Sequence, residues 1–311
     1  MLNQPRDPGQ LFLDHVGFFV KDLKMAGAAL NRLGFEVSDV NVQHNYSALG
    51  ELIPTGTSNR LVMLKYGFLE ALTATGRSAL ADQMRLGAER YEGLHLIALS
   101  HPDVVLECAR LESAGFEMQA PLALRRLVVC NGQERLTNIQ VLRTEPSVMR
   151  EGRVQMLTNH TPELFWTPGS TEHTNKVDAL CSIFLCVADP LEAAKRYSRY
   201  AGRESHAVDG VHTIELDRGN IVIADPRRTA RIFPHFEPPS VPYMAAVALR
   251  SEQLSATRTA LVEARVPFSV AQDDSLLVSP IEGLGAYVLF HGPTAFGFEG
   301  LLRKDASCLE H

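Results

Sequence analysis

Cysteine is scarce in this 311-residue chain: the five present (Cys108, Cys130, Cys181, Cys186, Cys308) are odd in number, scattered, and include no Cys-x-x-Cys. That usage speaks against a disulfide framework and predicts a reducing, cytoplasmic setting with most thiols acting as small core residues. Positive charge is also lacking. A net charge of −6 leaves no footprint for nucleic acid or an anionic membrane. The arginine pairs Arg125-Arg126 and Arg227-Arg228 read as ordinary solvated surface. No apolar run approaches the roughly 18 residues that a membrane helix needs, and the first ten residues carry no apolar signal core. The Asn-x-Ser/Thr matches at Asn45 and Asn159 then read as chance, and Leu309-Glu310-His311 as the scar before a purification tag. Missing too are Gly-x-x-x-x-Gly-Lys, a strand-linked Gly-x-Gly-x-x-Gly, His-Glu-x-x-His and Gly-x-Ser-x-Gly. Their absence removes the commonest nucleotide, zincin and hydrolase readings.

What is present is a repeat. Four segments follow one order: a strand, a polar acid-containing turn, a helix, then further strands. In the first, the apolar run 11–20 precedes Lys21-Asp22 and a helix with Leu23, Ala26, Ala29, Leu30 and Leu33 at helical spacing, stopped by Gly34. Strands are predicted over 35–42, 60–65 and 68–73. The second has strand 94–100, a helix from Pro102-Asp103 to Gly115, and strands over 122–130, 136–143 and 154–157 continuing to 165. The third has strand 181–187, a helix over 191–200 started by Asp189-Pro190 and ended by Gly202, then short strands over 212–216 and 220–224. The fourth has strand 243–249, helix 254–264, and strands over 267–271, 276–279 and 286–290. A single unit of this kind cannot bury its sheet face, so neighbouring copies must pair. The predicted division is 1–166 for the first pair, an apolar-poor linker 167–176, and 177–308 for the second pair.

The phrases LDHVGFFVKDL (13–23), GTSNRLVMLKYGFLEAL (56–72) and RVQMLTNHTPELFW (153–166), set in this order of elements, resemble the vicinal-oxygen-chelate superfamily of glyoxalases, bleomycin-resistance proteins and extradiol dioxygenases. They look closest to its glyoxalase-like branch. The detailed likeness spans 11–166; beyond that only the repeat is similar. The resemblance implies an α+β fold of four βαβββ modules, paired into two cup-shaped mixed β-sheets. It also implies one divalent metal ion (Fe, Ni, Zn, Co or Mn) held in the first cup by His15, Glu70, His95 and Glu163. Strand alternation agrees for the first module, placing His15, Gly17 and Phe19 on the cup side, and it assigns the same side to His95, Ile97 and Leu99 in the second. A carboxylate at Glu70 in an apolar strand must be paired, ligating or costly. Two imidazoles and two carboxylates suit several transition metals and leave two octahedral positions for a chelating substrate.

The third and fourth modules carry no such set: their first strands, CSIFLCV and YMAAVAL, lack histidine, so the second cup should be structural and metal-free. Further pocket candidates are Arg60 with Asn59, His160 and Trp166 beside Glu163, and His44 and Tyr46 in a loop at the cup mouth. The expectation is a metal-dependent lyase or isomerase acting on a small vicinally oxygenated substrate, with Glu70 or Glu163 moving the proton. An Fe(II) ring-cleaving dioxygenase built on His15, His95 and Glu163 is the alternative, and a non-catalytic binder of a hydrophobic ligand the third. The partner would be a small molecule, with no nucleic acid or membrane, and the chain a monomer or homodimer.

Overall fold

A computed structural model describes residues 3–46, 50–130, 133–294, 297–298 and 301, so Cys308 and Leu309-Glu310-His311 lie outside the described residues. The first module comprises β1 (Phe12–Phe19), α1 (Leu23–Arg32), β2 (Asn41–Tyr46), β3 (Leu52–Met63), β4 (Phe68–Ala74) and α2 (Ala79–Arg90). The second has β5 (Gly93–Ser100), α3 (Val104–Ser113), β6 (Leu122–Leu124), β7 (Leu127–Cys130), β8 (Gln133–Leu136), β9 (Ile139–Arg143), β10 (Arg153–Asn159) and a 3-10 turn (Pro162–Leu164). The third has β11 (Val177–Cys186), α4 (Pro190–Ala201), β12 (Ser205–Val208), β13 (Val211–Glu215), β14 (Asn220–Ala224) and α5 (Pro226–Ile232). The fourth has β15 (Tyr243–Ser251), α6 (Leu254–Glu263), β16 (Phe268–Val270), β17 (Leu276–Val278) and β18 (Tyr287–His291). None of the described helices is long and apolar enough to cross a membrane.

Apart from β7 and β8, which pair only with each other as a separate hairpin, the strands form two halves of one mixed sheet. In the first half the order is β2-β3-β4-β1-β5-β10-β9-β6; in the second it is β12-β13-β14-β11-β15-β18-β17-β16. Within each half the two first strands run antiparallel at the centre (β1 with β5, β11 with β15), and each pairs in parallel with the last strand of its own module. The halves meet where Leu94 pairs with Met244 and where Tyr91 donates its hydroxyl to the Leu94 carbonyl while accepting from the Met244 amide. The bidentate ion pair of Arg196 on α4 with buried Glu151 (2.7 and 2.9 Å) ties the third module to the second.

The helix starts are set by acids. Asp22 accepts from the Lys24 and Met25 amides, Asp103 from Val105 and Leu106, and Asp189 from Glu192; Gln253 stands at the fourth start without a side-chain cap. Two helices were not expected from periodicity, α2 and α5. Both carry a local signal, since Ser78 caps α2 by accepting from the Ala81 amide and Asp225 caps α5 before Pro226. The first module also departs from the expected strand at 35–42: regular pairing begins only at Asn41, and β3 is much longer than predicted. The stretch 167–176, expected as a linker, is packed rather than loose. His173 is buried there between the Glu36 amide, which donates to its Nδ1 (3.0 Å), and the Met63 carbonyl (2.7 Å from Nε2).

Candidate functional site in the first cup

The caps provide a ruler for the repeat. Seven residues before the cap stand His15, Leu96, Ser182 and Ala246 in the four modules. The last-strand residue paired with the position two further on is Glu70 (with Gly17), Gln155 (with Ala98), Val222 (with Phe184) and Leu289 (with Ala248). The central pairs agree with this count, since His15 faces Ala98 and Gly17 faces Leu96. The second-module counterparts of His15 and Glu70 are therefore Leu96 and Gln155.

This corrects the expected metal shell. Leu96 and Ala98 belong to the cup-side apolar cluster, whereas Ile97 and Leu99 pack in the core beneath the helices, the reverse of the predicted faces. The reason is a β-bulge: between the pairs Gly17–Leu96 and Phe18–Leu94, His95 is the extra residue, which breaks the two-residue alternation. His95 stacks on Tyr91 (4.0 Å between ring centres) and Phe19 (5.1 Å), and its Nε2 lies 2.8 Å from the Tyr91 carbonyl. Burial, with help from the Arg90 charge, pushes its pKa down to about 4 against the pull of that carbonyl. It borders a different hollow from His15, under α2 beside Phe19, Gly87 and Arg90. Glu163 sits past the end of β10, exposed on the 3-10 turn. Among the described residues no three His, Cys, Asp or Glu side chains gather closely enough to hold a metal ion.

What does assemble is a polar floor around His15 and Glu70, both buried. His15 stacks on Phe68 (4.2 Å) and its Nδ1 lies 2.6 Å from Asp14, the bulge residue of β1. Burial pushes the Asp14 carboxyl up, but hydrogen bonds from His15 and Gln4 and the charges of His15 and Arg218 outweigh it, holding Asp14 below the usual carboxylate range. Asp14 holds the ring through Nδ1, which turns Nε2 toward Glu70 Oε2, 3.8 Å away. The other Glu70 oxygen accepts from Asn59 Nδ2 (2.5 Å) and Gln43 Nε2 (3.4 Å), and Thr57 donates its hydroxyl to Gln43 Oε1 (2.7 Å). Asn59 faces inward, and alternation turns its neighbour outward: Arg60 donates to the Ser38 carbonyl and lies against Gly27 of α1.

Across the cavity from this pair stand three arginines that no motif announced, Arg126, Arg143 and Arg153. Arg153 is 9% exposed and donates to Gln83 of α2. Burial pushes its pKa down to about 9, helped by the neighbouring Arg143 charge and opposed by Glu70. Arg143 is lowered by burial and by Arg126; Arg126 is lowered by burial, against the attraction of Glu70. The Nε atoms of Arg126 and Arg143 and Oε1 of Gln155 are shut off from solvent with no hydrogen-bond partner among the described residues. Leu80 and Met84 of α2 roof the cavity, whose volume of about 110 Å³ suits a small metabolite rather than a nucleotide. A methyl group at Gly87, one turn on from Met84, would come within 2.7 Å of Phe19 Cδ2.

The remaining candidates lie outside the cavity. His160 is exposed with Nε2 3.1 Å from Gln140, and Trp166 donates its indole N–H to the Leu64 carbonyl as an aromatic plug against Phe68. His44 turns back to the Val42 carbonyl, and Tyr46 ends β2 half-buried. The missed residues were legible in part: RVQML alternates Arg153 and Gln155 with apolar neighbours, which puts both on one face of β10.

No curated protein matches the chain. Among solved structures it is similar to a hypothetical protein from Staphylococcus aureus (12% identity, TM-score 0.61, covering 91% of this chain and 99% of that one). It is also similar to a mutant 4-hydroxymandelate synthase from Streptomyces coelicolor (14%, 0.57, 94% and 96%) and to a Mn(II)-bound glyoxalase from Novosphingobium aromaticivorans (11%, 0.54, 91% and 82%). At such identities the likeness is one of fold. The model of the glyoxalase-like domain family matches residues 13–201, and the chain belongs to that family, within the vicinal-oxygen-chelate superfamily.

Proposed function

We propose that the chain is an enzyme whose active site is the first cup, and that it moves a proton beside a carbonyl of a small oxygenated substrate, as a lyase or isomerase. The observation that carries this reading is the Asp14–His15–Glu70 arrangement, with His15 oriented through Nδ1 and its Nε2 facing a buried carboxylate at 3.8 Å. Glu70 Oε2 takes the proton from the carbon, and the electron pair moves onto the carbonyl oxygen as an enolate. His15, held in one tautomer, receives or returns a proton at the neighbouring atom. Asn59 and Gln43 fix the carboxylate plane. The setting is cytoplasmic, consistent with free Cys108, Cys181 and Cys186. The partner is a small molecule, and the second cup is a scaffold.

A metal-assisted form of the same reaction is the second reading, favoured by the unpartnered Gln155 Oε1 at the position equivalent to Glu70. His15, Glu70 and Gln155 would hold a divalent ion, which when bound supplies Lewis-acid polarisation of the carbonyl. The dioxygenase alternative loses two of its three ligands, His95 and Glu163, to other parts of the molecule.

The test is hydrogen exchange in D₂O, followed by NMR over a panel of small hydroxy- and keto-compounds, which needs no knowledge of the product. Wild type should exchange one carbon-bound proton of a substrate. Glu70→Gln should slow that exchange by about 10²–10⁴-fold. No exchange across the panel with or without added divalent metal, or exchange undiminished in Glu70→Gln, sinks the proposal.

A further inference from the structure

We infer that Arg126, Arg143 and Arg153 form an oxyanion subsite, and that the molecule bound in the first cup carries a carboxylate or phosphate group seated on them. The inference deepens the proposed reaction by naming the substrate class, and it rests on that reading only for the word substrate. The binding claim stands on the cavity itself.

Three guanidiniums line one cavity, and among the described residues none of them has a salt-bridge partner. Arg153 is nine-tenths buried, and its described hydrogen bond goes to a neutral amide, Gln83. Arg126 and Arg143 present shielded Nε–H groups with nothing to receive them among the described residues. By contrast, buried Arg196 meets Glu151 and Glu192, and half-buried Arg250 meets Asp178 (2.6 and 2.9 Å). A buried, unpaired guanidinium destabilises the fold, and three within mutual reach add repulsion. Such a cluster persists where a ligand completes it. Arginine's planar fork suits carboxylate and phosphate oxygens because it gives two parallel hydrogen bonds. Glu70, the one carboxylate that acts electrostatically on Arg126 and Arg153, is already taken on one oxygen by Asn59 and Gln43. The cavity volume, about 110 Å³, limits the guest to a small acid. With its anionic group on the arginines, the rest of the guest extends toward His15 and Glu70 on the opposite wall.

The experiment is calorimetric titration of the full chain, in low-salt buffer free of multivalent anions, with inorganic phosphate, with malonate, and with glycerol as a neutral control. Wild type should bind malonate or phosphate saturably at one site and ignore glycerol. The tighter of the two tells whether the group is a carboxylate or a phosphate. Arg126→Gln and Arg143→Gln should each weaken binding at least tenfold, and in anion-free buffer their Tm should equal or exceed that of wild type, because each removes an unpaired charge. His15→Asn should keep the binding, so that loss of the proton-transfer role leaves this result intact. No saturable binding of either anion, or binding unchanged in both arginine variants, overturns the inference. Should neither variant fold, the wild-type Tm decides: a rise with either anion but not with glycerol supports the subsite, and no rise refutes it.

Discussion

The two cups are built on the same ruler and filled in opposite ways. In the first, the two central positions per module are His15 with Glu70 and Leu96 with Gln155; in the second they are Ser182 with Val222 and Ala246 with Leu289. The first keeps a charged hollow, whereas the second fills its inner face with Phe184, Phe233 and Phe298 in edge-to-face contact and with Tyr287 stacked on Phe233 (4.7 Å), and the hollow beyond Tyr243, Leu277 and Tyr287 has a mainly apolar and aromatic lining. Chemistry in a protein costs stability, because charged groups must be buried with imperfect partners. A repeat fold can place that cost in one half and leave the other to well-packed aromatic rings.

The contrast can be broken most forcefully at its catalytic pole. If the cups differ as described, the loss expected in Glu70→Gln has no counterpart in Val222→Thr, its mirror in the second cup, which should exchange protons within about twofold of wild type. A shared defect would mean that the second cup takes part in the chemistry. Next in size is packing. Phe184→Ala, fully buried between Phe233 and Phe298, should cost about 3–5 kcal/mol in denaturant unfolding, whereas Leu124→Ala, beside the existing hollow, should cost about 2 kcal/mol or less. Equal costs would show that the first cup is as tightly filled as the second.

A smaller effect sharpens the assignment of His95. Its pKa is depressed to about 4 by burial, so between that value and the ordinary 6.5 the unfolded chain binds the extra proton. Its contribution to stability is complete above pH 6.5 and falls away as pH drops toward 4, by about 3 kcal/mol at most. His95→Gln keeps a donor for the Tyr91 carbonyl without a titrating ring, so its unfolding free energy should fall less over that window. An unchanged acid limb would argue against a buried neutral imidazole. Smallest of all, Glu163→Gln should leave exchange and stability unaltered, since the side chain is exposed beyond β10. Gln155→Leu, within β10 and inside the cup, separates the two forms of the reaction: metal-stimulated exchange is lost only if that amide is a ligand.

The fold was legible because its signals are local. Asp22, Asp103 and Asp189 mark helix starts, Gly34 and Gly202 follow helix ends with positive φ, and their recurrence gave the four modules. The α2 helix carries an apolar stripe of Ala81, Met84 and Ala88, but it stands outside the strand–turn–helix order by which the other helices are recognised. The site was only half legible. His15 and Glu70 were found from a motif and an odd carboxylate. The second half failed at His95, because alternation carries no sign of a bulge, and a histidine one residue out of register looks like a ligand on paper. Of the arginines, only Arg126 figured in the sequence reading, as half of a surface pair; Arg143 and Arg153 belong to no motif. Nothing in Arg125-Arg126 tells which of the two turns inward; Arg126 is held there by exchanging hydrogen bonds with Thr137, far along the chain.

The helix over the cup rests on the sheet with bare backbone at Gly87, which lies against Phe19 and His95. One absent carbon atom therefore serves as the shim that sets how low the roof stands. A methyl group there would push α2 away from the sheet, carry Leu80 and Met84 with it, and widen the mouth of the cavity. The width of the hollow is thus fixed partly by a residue outside its lining.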